Sequence, residues 1–98
     1  VSYVQHLAED RRLSILLLLD AAPGSASNEA LLQAALPEFG HDAPADVVRA
    51  DLAWLAEAGL VTTRDTRGLT IATITQRGTD VAAGRARHPG VKRPRPAA

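Results

Sequence analysis

Arg49, Arg64, Arg67 and Arg77 punctuate the second half of the chain, and the run Lys92-Arg93-Pro94-Arg95-Pro96 nearly closes it. Cations so placed suit phosphate, which a guanidinium grips through a planar fork of donors, and an arginine can also read a guanine edge. Other chemistries have little to work with. His6, His41 and His88 lie far apart and lack the spacing that puts two metal ligands on one helical face. There is no Gly-rich phosphate loop. Ser25 and Ser27 read as helix caps rather than nucleophiles. The chain has no cysteine, which excludes a disulfide framework and a thiolate-ligated metal. No enzymatic activity, no cofactor and no metal site is expected.

The formal net charge is zero, but it is unevenly spread. Residues 85–98 hold five basic residues and no acid, whereas the preceding 84 hold six arginines against eleven acids. A basic tail thus follows an acidic body, and any attraction of that body for phosphate must be local. Apolar residues make up 46% of the chain and aromatic residues only 3%, so the core must be aliphatic. No apolar run exceeds five residues, far short of the roughly 18 that a membrane span needs. The first residues carry no signal-peptide pattern. A cytoplasmic protein without membrane attachment is expected.

The arginines need elements to position them. Residues 3–21 read as a first helix, with Val4, Leu7, Ala8, Ile15, Leu18 and Leu19 on one broad arc, Leu16 at its edge, and Leu13 and Leu17 on the opposite side. Glu9, Asp10, Arg11 and Arg12 form a polar belt midway. Ala22-Pro23-Gly24 interrupts the helix. Ser25 to Asn28 offers caps for a second helix whose stripe is Leu31, Leu32, Ala35 and Leu36, ended by Pro37 and Gly40. Pro44 suits the first position of a third helix, which stops at Gly59. Residues 60–64 and 69–74 read as strands around the turn Asp65-Thr66-Arg67-Gly68, and Thr75 caps a last helix running to about Ala86. The expected fold is mainly α with a small β part (α+β): a winged helix-turn-helix of order α-α-α-β-β-α in residues 1–86. A Pro-rich basic tail, 87–98, is expected to be disordered or extended.

In this order the third helix occupies the recognition position and the hairpin forms the wing. Val48, Leu52 and Leu55 share its inner face, flanked by Val47, Trp54 and Ala58. Trp54 reads more readily as core packing than as a stacking platform. The outer arc carries Asp46, Arg49, Ala50, Ala53, Ala56 and Glu57, which reads equally as a solvated surface or a base-reading face with one cation. Arg64 and Arg67 lie on the wing and Arg77 opens the last helix. Asp65 could instead pair with one of the wing arginines.

The segment "DLAWLAEAGLV" at Asp51 to Val61, followed by a hairpin and "ITQRG" at Ile74 to Gly78, resembles winged-helix regulators of the ArsR/MarR type. More narrowly, "YVQHLAEDRRLSIL" at Tyr3 to Leu16, "VRADLAWLAEAGLVT" and the ending "GVKRPRP" are similar to small ArsR-like proteins of Mu-like phages and prophages. That resemblance covers nearly the whole chain and implies a fold and an origin, without a biochemical role. The tail run also resembles the centre of an AT-hook, with Pro94 where that motif has glycine, and assigns no site.

The expected function is duplex-DNA binding in phage or prophage transcriptional control. Arg49 would enter the major groove, Arg64, Arg67 and Arg77 would hold the backbone, and Lys92, Arg93 and Arg95 would add nonspecific affinity. Leu13 and Leu17, stranded on the outer side of the first helix, suggest a homodimer interface, unless they are simply exposed leucines. The alternative function is a protein-interaction module in phage development, contacting a phage or host protein through the alanine-rich face of the third helix.

Overall fold

The computed structural model of the protein describes residues 2–96. Helix α1 (Tyr3–Ala21) starts with a capping box. Ser2 Oγ accepts from the Gln5 N–H at 3.1 Å, and the Gln5 side chain accepts from the Ser2 N–H at 2.9 Å, so two orphan amides are satisfied at once. After a tight turn at Pro23–Ser25 comes a short strand, β1 (Ala26–Asn28), where the sequence promised only caps. Asn28 does both jobs. It pairs with Ile71 across the sheet, and its side-chain oxygen accepts from the Leu31 N–H at 2.9 Å to cap α2 (Glu29–Ala35).

Helix α3 (Ala45–Glu57) begins one residue later than expected, because Pro44 is its extended N-cap (ψ 163°) rather than its first helical residue. Its end is a Schellman motif: Leu60 N–H donates to the Leu55 carbonyl and Gly59 N–H to the Ala56 carbonyl, each at 3.0 Å, with Gly59 left-handed at φ 78°. Helix α4 (Gln76–Ala82) is capped by Thr75 and ends in the same way, at Gly84 (φ 82°). It is therefore shorter than the expected run to Ala86. Gly84 is the stop signal, and it satisfies the last carbonyls through its own N–H and that of Arg85.

Strands β2 (Val61–Thr66) and β3 (Leu69–Ile74) form the wing-like hairpin, and β1 adds to β3, giving an antiparallel sheet of order β1-β3-β2. The pairing runs to Thr66 opposite Leu69, so the turn is only Arg67-Gly68. Both residues have positive φ, 54° and 78°, as the two-residue turn that matches strand twist demands. A side chain in that conformation costs roughly 1 kcal/mol, and Arg67 bears it. The fold is thus α+β, with helices and hairpin in the order α-α-α-β-β-α and an arrangement compatible with a winged helix.

One core holds these elements together. Ile15, Leu16 and Leu19 of α1 are fully buried with Leu32, Leu36, Val48, Leu52, Leu55, Leu60 and Val61. Leu13 is buried as well, and Leu17 packs against the same core. The sequence had placed both on an outer face. The reason for the difference is that α4 and the chain beyond it cover that side of α1, so α1 is buried on more than one side. Leu13 therefore offers little surface to a homodimer interface, whereas Leu17 stays partly exposed. Conversely Val4, expected in the apolar arc, is 72% exposed, because the first turn of α1 projects beyond the body.

Gly78 marks the tightest approach between elements. A Cβ there would run into the Leu60 carbonyl oxygen and would sit 2.7 Å from Ile74 Cγ1. Backbone cannot yield as a flexible side chain can. Gly78→Ala is expected to lower unfolding stability by about 1–3 kcal/mol, the usual range for overpacking, measured as a drop in urea midpoint at unchanged slope.

Candidate nucleic-acid interface

The outer face of α3 is as the periodicity implied: Asp46, Arg49, Ala50, Ala53 and Glu57 are exposed, and Ala56 is half-buried. Arg49 is not free, however. Its Nε lies 3.6 Å from Glu29 Oε1, while the other Glu29 oxygen accepts from the Thr70 N–H at 3.3 Å. Glu29, in the first turn of α2, thus ties α3 to β3. The Arg49 side chain keeps 55% of its surface exposed, so it can reach outward only by exchanging Glu29 for another acceptor.

The hairpin presents its cations differently. Alternation puts Val61, Ala72 and Ile74 inward, and Thr62, Arg64 and Thr66 outward. Arg64 Nη1 donates to Thr66 Oγ1 at 2.9 Å. Asp65, on the opposite face, accepts from Thr70 Oγ1 at 2.9 Å instead of pairing with an arginine. Arg67 sits at the turn and Arg77 is exposed in the first turn of α4. Among the described residues, none of Arg64, Arg67 and Arg77 has a carboxylate within 4.0 Å.

Several of the remaining cations are used for structure. Asp51 of α3 is buried and is shared by Arg11, whose Nε donates to Oδ2, and Arg12, whose Nε is 3.6 Å from Oδ1. Sequence reasoning had left the acids on solvated faces and missed this one. A signal was present: at 100° per residue Asp51 falls beside Leu55 on the buried stripe, and the Arg11-Arg12 belt offered it a partner. Arg12 also donates through Nη1 to the Gly90 carbonyl at 2.9 Å, and its guanidinium carbon sits 4.0 Å above the Trp54 ring. Trp54 in turn meets the His88 ring edge-on, with centroids 5.1 Å apart.

Residues 88–92, expected from composition to be disordered or extended, fold back onto the body without helix or strand. Val91 is buried, and Lys92 N–H donates to the Glu9 carbonyl at 3.2 Å. Lys92 Nζ lies 3.5 Å from Asp10 Oδ1, and Asp10 Oδ2 lies 2.8 Å from Nε2 of the buried His41. Three prolines and one valine promised little burial. What composition could not show is that α1 and Trp54 leave a seat for that valine and for a side-chain-free Gly90, where a Cβ would overlap the indole. Trp54 is thus half-buried and serves as the clamp on the tail. Lys92 is ion-paired, whereas Arg93 and Arg95 are exposed with no carboxylate within 4.0 Å among the described residues.

Among those residues no group of three or more His, Cys, Asp or Glu is placed to hold a metal ion, and no helix is long and apolar enough to cross a membrane.

Two outcomes follow from this network. Asp51→Ala removes the carboxylate shared by two partly buried guanidinium groups and should cost about 3 kcal/mol in unfolding stability, read by chemical denaturation. Trp54→Ala removes the surface on which Arg12 and His88 lie. Trypsin should then cut after Arg87 and Lys92 faster than in the parent protein, with far-UV circular dichroism essentially retained.

No family model matches the chain. It is 53% identical over 93 residues to the uncharacterized protein gp26 of Escherichia phage Mu, an alignment spanning 94% of this chain and 95% of that one. It is also 38% identical over 78 residues to an uncharacterized protein of Haemophilus influenzae (strain ATCC 51907 / DSM 11121 / KW20 / Rd), spanning 79% and 76% of the two chains.

Proposed function

The chain belongs to the family of the phage Mu protein gp26, and on that premise we propose that it is a small phage DNA-binding protein that docks on duplex backbone chiefly through its hairpin and acts in transcriptional control. The observation that carries this reading is the set Arg64, Arg67 and Arg77. All three are exposed on the hairpin and at the start of α4, and no described carboxylate lies within 4.0 Å of any of them. Elsewhere on the helices, Arg11, Arg12, Arg49 and Arg85 each lie against an acid. Cations free of internal partners keep their full attraction for phosphate and release counterions when they meet it. Arg49 adds a weaker base-reading contribution from α3, limited by Glu29. Because α3 otherwise offers alanines and acids outward, the binding is dominated by position and charge, with little sequence discrimination. Leu13 is buried and Leu17 partly so, and the backbone contacts proposed here are made within a single copy of the chain.

A second reading draws on a different observation. Ala50 and Ala53 are exposed between Asp46 and Glu57, while Arg49 leans toward Glu29. A small-residue face of this kind suits close packing against a partner protein in phage development.

Fluorescence anisotropy with a labelled duplex separates the two. Binding should weaken steeply from about 50 to 200 mM salt, and removing three phosphate contacts should lower the log–log salt slope by about three. The variant for this purpose combines Arg64→Ala, Arg67→Asn and Arg77→Ala. Asparagine is well suited to the positive φ of residue 67, so the turn survives while its charge is lost. Absence of binding at low salt, or an unchanged slope in this variant, would overturn the DNA reading and leave the α3 face as the better account.

A further inference from the structure

We propose that the groove between α1, the C-terminal end of α4 and the returning tail docks an acidic peptide segment of a partner protein, one that carries a large apolar anchor. The groove has a volume of about 1030 Å³. Its floor is apolar: the partly buried Leu17 of α1, backed by the buried Leu13 one helical turn away, with Ala83 and the 40%-exposed ring of Phe39. Its rim is cationic. Arg93 and Arg95 line it, are exposed, and have no carboxylate within 4.0 Å among the described residues. The acid on its wall, Asp10, is already engaged by Lys92 and His41, so the two arginines remain uncompensated.

The rim is also rigid. Pro94 and Pro96 fix φ on either side of Arg95, and Pro94 packs so closely on Gly84 that a Cβ at that glycine would lie 3.3 Å from Pro94 Cγ. Upstream, Gly90 and Lys92 anchor the segment to Arg12 and Glu9. Arg93 and Arg95 are therefore held over an apolar trough, not carried on a free arm. Duplex DNA satisfies the rim but has nothing to place on Leu17 and Phe39. A neutral apolar segment satisfies the floor but not the rim. An acidic segment with a leucine or phenylalanine satisfies both, with the anchor in the trough and carboxylates on the guanidinium forks.

The site is independent of the hairpin, and the test keeps the two apart. The probe is a short fluorescein-labelled peptide carrying two leucines one helical turn apart among glutamates. Its control has lysine in place of every glutamate. Anisotropy titration of the full chain should show saturable binding of the acidic peptide and none of the control. Arg93→Glu combined with Arg95→Glu should weaken binding at least about tenfold. Phe39→Ser, whose ring is 40% exposed, should weaken it too with far-UV circular dichroism retained, whereas the hairpin variant Arg64→Ala with Arg67→Asn should leave it unchanged. The proposal is overturned if the lysine control binds equally, if the double charge reversal has no effect, or if duplex DNA displaces the peptide. It is equally overturned if sedimentation shows a dimer that Phe39→Ser dissociates, because the occupant is then a second copy of this chain.

Discussion

Asp51 is the interaction on which the rest of the molecule turns. It is a carboxylate within the core-facing side of α3, and a charge placed there is tolerable only if it is compensated at once. Arg11 and Arg12 of α1 compensate it together. That requirement fixes the rotation of α1 against α3 more tightly than aliphatic packing could, since leucines slide with small cost and a shared carboxylate does not. Arg12 then carries the constraint outward. Its guanidinium lies over Trp54, reaches the Gly90 carbonyl, and leaves its own Nε buried without a hydrogen-bond partner. The tail is seated on that same cation, so α1, α3 and the C-terminal segment share one electrostatic joint.

The joint also sorts the charges of the chain. A formal net charge of zero suggests a bland surface, but acids and bases are not cancelled uniformly. Arg11, Arg12, Arg49, Arg85 and Lys92 face carboxylates within the fold. The cations left over collect in two places, on the hairpin with the start of α4, and on the tail at Arg87, Arg93 and Arg95. Each place has a different surrounding. Arg64 stands between Thr62 and Thr66 on the outward face of β2, opposite Ile71, with Arg67 at the turn, an exposed setting that suits a phosphate backbone. Arg93 and Arg95 overhang a trough of leucine, alanine and phenylalanine, which suits an apolar group bearing acids. Chemistry that looks like one basic theme in the sequence is thereby divided between two surfaces.

Much of the architecture was legible because it is written in local chemistry. Gly59 as the end of α3 and Thr75 as the start of α4 each act through backbone groups within a few residues, and each is where the sequence placed it. The alternation of the hairpin and the outward arc of α3 follow from strand and helix periods alone. What escaped detection depended on distant partners. Strand β1 is three residues long and exists because β3 offers it an edge; nothing in Ala26-Ser27-Asn28 announces a strand. The two-residue turn puts Arg67 in a left-handed conformation that arginine would not choose on its own, imposed by the pairing of the strands on either side. Leu13 and Leu17 were misread because a helical wheel counts faces but not how many neighbours a helix has.

The sequence by itself determined the order of the helices and the hairpin, most stops and caps, the aliphatic core and the imbalance between an acidic body and a basic end. These are properties of residues and their near neighbours, and they survive whatever the rest of the chain does. The tertiary structure alone decided which charges remain available. Asp51 is buried, Arg49 leans on Glu29, Lys92 is taken by Asp10, and Val91 draws a proline-rich tail onto α1, because the accessibility of a charge depends on what packs beside it. A side chain's sign can be read from its letter; its partner is set by the fold, 40 positions away for Arg11 and 78 for Arg12.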